Sequence, residues 1–312
     1  MYHNHGWRAT RGTASRGLIV RSAIAAACCL APALLSAQAP LLTASVTRPQ
    51  PGSIITLTLQ TGAARGDSII AISGTMAGEP LHFFAASPGT WRAIGGVPVD
   101  ASDKVLARVV ITRVSSPADT VTTTLELPRP AKASGARRRQ LAVAPRFTRP
   151  MDAATEARIA RENARARDVG RKAHETPPLW TLPFLRPRAS AVTSRFGSGR
   201  MFNGTVTSRH LGVDFRGAVG APVNAANRGV VAMVDDFFLA GAVVYIDHGG
   251  GLVTSYFHLS EINVAAGDTV ERGQQIGSVG ASGRVTGPHL HWSGRYGTLT
   301  VNPLDLLVLR RP

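Results

Sequence analysis

The sequence is poor in several residue types, and each shortage excludes a class of protein. Only two of the 312 residues are cysteine, Cys28 and Cys29, and both lie in the N-terminal segment. The chain beyond that segment therefore has no disulfide framework and no thiolate chemistry. No later stretch approaches the roughly 18 consecutive apolar residues that a membrane-spanning helix needs. The mature chain is therefore predicted to have no transmembrane span.

Acidic residues are also scarce, since 19 Asp and Glu stand against 35 Lys and Arg, a formal charge of +16. Removing the four arginines of residues 1–21 lowers this charge by four, to +12. Such a surplus favours acidic polymers, which outside the cytoplasm are groups of the cell wall and envelope rather than nucleic acid. A basic surface that only keeps the protein soluble explains the charge equally well.

The first 39 residues have the layout of a secretory signal peptide. Residues 1–21 carry four arginines and no acid, and an apolar run follows over residues 22–36. Small residues then mark a cleavage site near Ala37 or Ala39. We therefore expect an exported protein of the periplasm or the cell exterior. The alternative is a retained N-terminal anchor helix, although Pro32 interrupts a run that is already short.

Residues 41–128 contain at least six short runs typical of β-strands, separated by clusters of Gly, Pro, Asp and Ser. In one run Ile55, Leu57 and Leu59 alternate with threonines, as in a strand with one buried face. The pattern predicts an Ig-like β-sandwich that acts as a binding or spacing module. Its single histidine, His82, is predicted to be a strand residue without chemistry.

Residues 129–180 differ in composition, beginning with a Pro-, Ala- and Arg-rich stretch that suits an exposed basic linker. The arginines at 137–139 would be accessible to a trypsin-like protease. From Asp152, a predicted N-cap, the Ala-, Arg- and Glu-rich sequence predicts one helix over about 152–173. Because it has few large apolar residues, this helix is expected to lie on the surface and brace two domains without forming a core.

Strand signals return in residues 181–312, where glycine is frequent and turns are expected to be tight. This part is predicted to be a second domain, built of antiparallel β-strands. The fold class predicted for the whole chain is therefore all-β with two domains and one connecting helix.

Five of the nine histidines fall in this last part: His210, His248, His258, His289 and His291. In an extended chain, residues i, i+2 and i+4 lie on one face. His210 and Asp214 then point the same way over Gly212, whose missing side chain would leave room for an ion. His289 and His291 share a face by the same rule.

Zinc accepts imidazole nitrogen and carboxylate oxygen, and a catalytic zinc usually has three protein ligands and one open position. Two of these histidines with Asp214 would form such a site. A single pair would be weak support, because His-x-His occurs by chance. The combination of His-x3-Asp, a histidine in "SYFHL" and a terminal "HLH" is a stronger indication. The spacing does not say which histidine of "HLH" would be the ligand.

The same alternation predicts that Tyr256 and His258 share a face in "SYFHL". Tyr256 is a weak candidate for an oxyanion donor, and a structural role is favoured. His248 precedes a glycine turn and is also interpreted as structural.

The region of about residues 194–306 resembles the lysostaphin/LytM-type zinc metallopeptidases, which cut peptide bonds in peptidoglycan with a duplicated-hybrid-motif-like domain. The resemblance is carried by "SRHLGVDF", "SYFHLS", "TGPHLHW" and "VNPLDLL". It implies that zinc is bound by His210, Asp214 and His291. It also implies that His258 and His289 are the catalytic residues flanking the metal-bound water.

The resemblance thus implies an exported zinc metalloendopeptidase that hydrolyses stem peptides or cross-links of peptidoglycan, through zinc-bound water assisted by two histidines. Peptidoglycan is the expected partner, and an envelope protein is a further candidate. One departure concerns a frequent acid two positions after the last histidine, which is Ser293 here. Its absence would lower metal affinity if that acid supports the ligand.

Three alternatives remain beside this interpretation. The first is a non-catalytic member that binds the wall or activates an amidase. The second is a biotinyl- or lipoyl-carrier domain, suggested by the glycine pattern of residues 264–283, but no lysine follows Lys172 to carry the group. The third is a latent enzyme, in which the basic linker and the first domain hold the active-site groove closed until the arginine run at 137–139 is cut.

Overall fold

The computed structural model of the protein describes residues 39–310, apart from 63–67, 102, 115–118, 127–138, 148–149 and 205. The predicted signal peptide, except for Ala39, lies outside these residues, as do the first two linker arginines at 137 and 138. Residues Ala37–Pro312 form one compact unit. No helix among the described residues has the length and apolar content needed to cross a membrane.

The first part of the chain forms eight strands in two four-stranded sheets. In chain order these are β1 (Leu41–Ala44), β2 (Ile54–Gln60), β3 (Ile69–Met76), β4 (Glu79–Pro80), β5 (Phe84–Ser87), β6 (Thr90–Gly96), β7 (Lys104–Arg113) and β8 (Asp119–Glu126). One sheet has the order β1-β2-β6-β5 and the other β4-β3-β7-β8. All neighbouring strands in both sheets are antiparallel.

The two sheets share one hydrophobic cluster, because alternate residues of each strand point inward. In β2, Ile55, Leu57 and Leu59 are buried, as their alternation with threonines predicts. β7 contributes the buried Val105 and Ile111 to the same cluster. The predicted strands are therefore present, whereas the Ig-like topology stays a prediction.

The region after the first two sheets contains β9 (Arg139–Leu141), a 3₁₀ turn (Pro145–Phe147) and the helix α1 (Ala153–Lys172). The side chain of Asp152 caps the helix by accepting a 2.7 Å hydrogen bond from the backbone N–H of Thr155. β9 pairs in parallel with a strand of the last part of the chain, so this stretch of the predicted linker is structured.

The helix α1 packs on the last part of the chain through its small residues. Ala166 of α1 and Ala173, which comes directly after the helix, are buried in a cluster with Phe237 and other side chains of the sheet. The approach is so close that a Cβ on Gly170 would lie 1.9 Å from the carbonyl oxygen of Gly297. The expectation that this helix forms no core is therefore wrong, because small side chains let it bury its inner face without large apolar residues.

The last part of the chain contains twelve strands and a 3₁₀ helix (Pro303–Leu307). The strands are β10 (Val192–Ser194), β11 (Gly199–Phe202), β12 (Val206–Arg209), β13 (Val213–Arg216), β14 (Pro222–Asn224), β15 (Gly229–Phe237), β16 (Gly241–Gly249), β17 (Leu252–Ile262), β18 (Thr269–Val270), β19 (Gln275–Val279), β20 (His289–Tyr296) and β21 (Leu299–Val301). Ten form one sheet with the central order β10-β13-β20-β17-β16-β15-β18. β9, β11 and β12 form a separate three-stranded sheet.

The inner face of the ten-stranded sheet is packed with aromatic side chains. Phe215 of β13, Tyr256 of β17, and Trp292 and Tyr296 of β20 are completely buried in one cluster. These three strands are neighbours in the sheet, so the cluster fixes their mutual position. The opposite faces of β13 and β20 carry the polar groups described below.

His82 is not a strand residue, contrary to the sequence prediction. It lies between β4 and β5, with its Nε2 2.9 Å from Nδ1 of His174. Nε2 of His174 is 3.0 Å from Oε2 of Glu79, and Oε1 of Glu79 accepts a 3.0 Å hydrogen bond from the backbone N–H of Thr298. These polar contacts link the first part of the chain to the end of α1 and to the last sheet.

Candidate metal centre

The strand register of β13 and β20 brings the predicted site residues together. Asp214 is directly opposite His291, and Arg216 is opposite His289. Residues opposite each other in an antiparallel pair point to the same face. His289 and His291 therefore share a face, as their spacing predicts. His210 lies just before β13, where its backbone carbonyl accepts a 2.8 Å hydrogen bond from the N–H of Gly197.

Three side-chain atoms converge at one point of this surface. Nε2 of His210 lies 2.9 Å from Nδ1 of His291 and 2.9 Å from Oδ1 of Asp214. Nδ1 of His291 is also 2.9 Å from that oxygen. All three residues are buried, and their ligand atoms are grouped closely enough to hold one metal ion.

The chemistry of these atoms fits a bound cation. Nδ1 of His210 lies 3.0 Å from the carbonyl oxygen of Arg195, which can only accept, so Nδ1 carries the proton. Nε2 then presents a lone pair to the triangle. Zinc–nitrogen distances of about 2.0–2.1 Å put neighbouring ligand atoms of a tetrahedral ion about 3.3 Å apart. The observed triangle needs to open by only a few tenths of an ångström.

The carboxyl group of Asp214 is held in its charged form. Burial alone would raise its pKa, but the close contacts of its carboxyl group with the rings of His210 and His291 hold the pKa far below its usual range. The guanidinium group of Arg200 contacts its second oxygen and lies 3.1 Å from Oγ of Ser194. Burial lowers the pKa of His291 to about 4, so its ring is neutral at physiological pH and can act as a ligand.

Gly212 is required by the close approach of β20 to the chain before β13. A Cβ at this position would lie 2.4 Å from Nε2 of His291 and 2.7 Å from the carbonyl oxygen of Trp292. The missing side chain was expected to leave room for an ion. In the structure that space is filled by the imidazole of His291, so the glycine positions the ring of a candidate ligand.

We predict that Gly212→Ala lowers metal affinity roughly ten- to hundredfold, because the methyl group displaces the ring of His291. Overpacking should also cost about 1–3 kcal/mol of stability. Metal titration and urea unfolding measure the two effects. Gly287→Ala is the matched control, since its Cβ would meet nothing within 4 Å. Equal affinity of the two variants would contradict this role of Gly212.

Two further histidines flank the triangle with the same orientation. Nδ1 of His258 lies 2.8 Å from the carbonyl oxygen of Ser282, and Nδ1 of His289 lies 2.8 Å from that of Gly287. Each Nδ1 therefore donates, so Nε2 is the acceptor nitrogen of each ring in its neutral form. The two rings are 4.9 Å apart, and Nε2 of His289 is 3.6 Å from Oδ1 of Asp214. Burial, together with the proximity of His289 and His291, holds the pKa of His258 well below its usual value.

His258 reaches this position only through an irregularity of β17. Between the pairs Val244–Tyr256 and Ala242–Leu259 the register shifts, so that two residues of β17 oppose one of β16. His258 has a φ of +64°, in the left-handed region that non-glycine residues rarely occupy. The prediction that Tyr256 and His258 share a face is therefore wrong, because the bulge breaks the alternation.

Tyr256 instead points into the core, within a chain of hydrogen bonds. Its hydroxyl accepts a 2.8 Å bond from the N–H of Ala226 and lies 2.9 Å from Oγ1 of Thr254. That oxygen is 2.8 Å from Nε2 of His248, whose Nδ1 donates over 2.7 Å to the carbonyl of Arg228. Both side chains thus have structural partners, and neither is part of the triangle.

Burial lowers the pKa of His248 to about 4, below the value near 6.5 of an unfolded histidine. Between these two pKa values the folded state binds fewer protons than the unfolded state. The contribution of neutral His248 to the free energy of unfolding is therefore complete above pH 6.5 and is lost as the pH falls toward 4. When the pH is lowered from 7 to 5, the free energy of unfolding should fall in both proteins. We expect the fall to be about 2 kcal/mol smaller in His248→Gln than in the unmodified protein. Urea unfolding at both pH values tests this, and parallel losses would contradict it.

Residues distant in sequence complete the surroundings of the triangle. A cavity of about 250 Å³ beside His210, His258 and His291 is lined on one side by Ile159 and Asn163 of α1. A second cavity, of about 200 Å³, lies on the side of Asp214 and His289. Arg200 and Arg284 line both cavities. Sequence reasoning missed Arg200 and the helix residues, since no spacing signal connects them to the histidines.

A buried His/Asp/His group on a β-sheet, with two further histidines beside it, is typical of the class of metal-dependent hydrolytic sites. Comparison with known families narrows this class: the sequence model of Peptidase family M23 matches residues 208–303. The chain contains a Peptidase M23 domain of the LytM/lysostaphin type. The family resemblance is thereby confirmed.

Curated relatives and solved structures agree with this assignment. Peptidoglycan DD-endopeptidase ShyA of Vibrio cholerae serotype O1 is 45% identical over 104 residues, which cover 32% of this chain and 24% of ShyA. DD-carboxypeptidase/endopeptidase Mpg of Neisseria meningitidis serogroup B is 40% identical over 97 residues, covering 31% of this chain and 22% of Mpg. The matched region thus spans about a quarter of the length of these curated relatives.

The similarity to one solved structure extends well beyond the matched domain. A putative peptidase M23 from Pseudomonas aeruginosa is 25% identical with a TM-score of 0.59, covering 83% of this chain and 95% of that one. The chain therefore has a mostly β, M23 peptidase-like fold in which α1 is the one α-helix of the described residues.

Proposed function

We propose that the protein is a zinc-dependent metalloendopeptidase that hydrolyses peptide bonds in stem peptides or cross-links of peptidoglycan. The observation that carries this proposal is the 2.9 Å triangle of His210, Asp214 and His291 beside two further histidines. Relatives of its M23 domain bear the names of peptidoglycan endopeptidases. All five groups lie together, which supports a catalytic site over the non-catalytic alternative.

Zinc would be held by Nε2 of His210, Oδ1 of Asp214 and Nδ1 of His291, whose lone pairs face one point. When bound, zinc polarises a carbonyl and lowers the pKa of water to about 7. Arg200 keeps Asp214 oriented by contacting the oxygen that the triangle does not use. The hydrogen bond from Nδ1 of His210 to the carbonyl of Arg195 fixes the tautomer of this ligand.

His258 is proposed as the general base that takes a proton from the attacking water. Its Nδ1 is occupied by the carbonyl of Ser282, so the proton must go to Nε2. The depressed pKa of its ring keeps it neutral and ready to accept. His289, whose Nδ1 is likewise occupied by a backbone carbonyl, would in its protonated form donate from Nε2 to the developing oxyanion or the leaving amine.

Export and domain organisation are proposed on separate grounds. Peptidoglycan lies outside the cytoplasm, and residues 1–39 have the layout of a signal peptide. An Ig-like sandwich over 41–128, a linker over 129–180 and a peptidase domain over 181–312 are supported by the two four-stranded sheets, α1 and the ten-stranded sheet.

The first test is elemental analysis of the purified mature chain, run beside digestion of wall muropeptides with and without chelator. We expect about one zinc per chain and chelator-sensitive release of new amino termini. Zinc without cleavage would indicate a latent or partner-activated enzyme. A chain without zinc would overturn the proposal and favour a wall-binding or amidase-activating role.

A further inference from the structure

A third cleft, much larger than the two cavities at the metal centre, lies between the first part of the chain and its C-terminal end. Its volume is about 880 Å³, within the roughly 300–1,000 Å³ typical of ligand sites. One wall consists of residues from 45–56 and Arg92, and the other of residues from 302–310. Phe196 and Gly197 line it between these walls. We call it the basic cleft because Arg48, Arg92 and Arg310 line it.

The charge of the basic cleft is strongly positive. Within the described residues, the three guanidinium groups have no acidic partner and no hydrogen-bond acceptor, and all three arginines are exposed. The one acid of the lining is Asp305, and both of its oxygens are engaged. Oδ2 accepts a 3.0 Å bond from the N–H of Ile54, and Oδ1 accepts a 3.1 Å bond from Nδ2 of Asn302. The arginines are therefore available to an anion from solvent.

The two walls of the basic cleft are joined by hydrogen bonds. The carbonyl oxygen of Gly52 accepts a 2.7 Å hydrogen bond from the N–H of Asn302, in addition to the bond from Ile54 to Asp305. Gly52 has a φ of +84°, and a Cβ there would lie 2.4 Å from the ring of Phe196. Only glycine permits this contact. The cleft is thus pre-formed, which lowers the entropic cost of binding.

One loop separates the basic cleft from the metal centre. Phe196 and Gly197 line the cleft, and the N–H of Gly197 donates to the carbonyl of His210 over 2.8 Å. The N–H of His210 donates in turn to the carbonyl of Ser198 over 2.9 Å, and Arg195 orients its ring. A polymer bound in the cleft would therefore lie beside the loop that holds a proposed zinc ligand.

We propose that the basic cleft binds carboxylate groups of peptidoglycan stem peptides close to the bond that is cut. Guanidinium groups pair with carboxylates in a bidentate geometry, and three of them line a space large enough for a peptide. This inference rests on the proposed function, because it assigns a binding site to a part of the same substrate. It assigns no step of the hydrolysis to the cleft.

The test measures binding without catalysis. Chelator-treated mature protein is co-sedimented with purified peptidoglycan sacculi at several salt concentrations, so that cleavage does not interfere. The variant R48Q/R92Q/R310Q is compared with R108Q/R161Q/R186Q, which removes the same charge from exposed arginines outside the cleft. An exposed ion pair between an arginine and a carboxylate contributes only modestly to binding. We therefore expect about tenfold weaker binding of the cleft variant and little change in the control.

Chemical treatment of the sacculi identifies the anion. Coupling ammonia to their carboxyl groups with a carbodiimide should remove the difference in binding between the unmodified protein and the glutamine variant of the cleft. Stripping phosphate polymers with hydrofluoric acid should leave it unchanged. Loss of the difference after phosphate removal, or equal weakening in both triple variants, would overturn the inference.

Two further measurements keep the result unambiguous. The variant R48K/R92K/R310K keeps the charge but loses the bidentate geometry, and we expect it to bind with intermediate affinity. If the glutamine variant is poorly folded by circular dichroism, this lysine variant decides, and unchanged binding would contradict the proposal. Hydrolysis by the zinc-loaded protein is measured separately, so absence of cleavage would reject the proposed function while leaving the binding result intact.

Discussion

Zinc content should fall from about one ion per chain to nearly zero when His291 is replaced by alanine. Its Nδ1 is one corner of the ligand triangle, 2.9 Å from each of the other two atoms. Two remaining ligands cannot define the open three-ligand site that a catalytic zinc requires. Since zinc would contribute several kcal/mol to the hydrolysis, we expect activity to fall by at least about 10³-fold.

The fold should survive this change, which makes the result interpretable. Asp214 keeps its contacts to His210 and Arg200, so no buried charge is left without a partner. His82→Ala is a suitable control, because it also removes a histidine from a polar cluster, but outside the metal centre. Metal analysis, circular dichroism and muropeptide digestion of the three proteins provide the measurement. Full zinc content in folded His291→Ala would reject the ligand assignment.

The second large effect is expected for His258→Ala, which should keep zinc and lose activity. His258 is not a corner of the triangle, and its ring centroid lies 6.0 Å from that of His291. Removing a positioned general base typically costs about 10²–10⁴-fold in rate. Retained zinc together with lost activity would distinguish His258 from the three proposed ligands.

The measurement compares kcat and zinc content of His258→Ala and His289→Ala with those of the unmodified protein. Both variants are expected to retain about one zinc. A fully active His258→Ala enzyme would reject the catalytic role of His258, and loss of zinc from His289→Ala would move that residue into the ligand set. The 3.6 Å distance from His289 to Asp214 makes the second comparison necessary.

Most of the ligand arrangement could be predicted from the sequence because it lies on neighbouring strands. The two-residue spacing of His289 and His291 places both on one face of β20, and the register puts Asp214 directly opposite His291. The spacing left open which histidine of the pair is the ligand, because alternation treats both alike. The family resemblance suggested His291, and in the structure this is the ring that completes the triangle.

Alternation failed at His258 for a physical reason. A bulge and a positive φ turn this residue away from the face of Tyr256, and neither feature has a signal in "SYFHL". The role of α1 was equally hidden, because helix burial is usually inferred from large apolar residues. Here Ala166 and Gly170 allow a close approach that depends on the shape of the opposing sheet.

The sequence by itself determined the β-rich character of the chain, the site of its helix, the absence of cysteine beyond Cys29, and the five residues proposed for chemistry. The first three properties depend on composition and local spacing, whereas the roles of the five residues depend also on the family resemblance. The tertiary structure alone decided which atoms of those residues meet, that Arg200 contacts Asp214, and that three arginines without an acidic partner among the described residues share one cleft. Those contacts join residues far apart in the chain, and only the packing of sheets and helix brings them together.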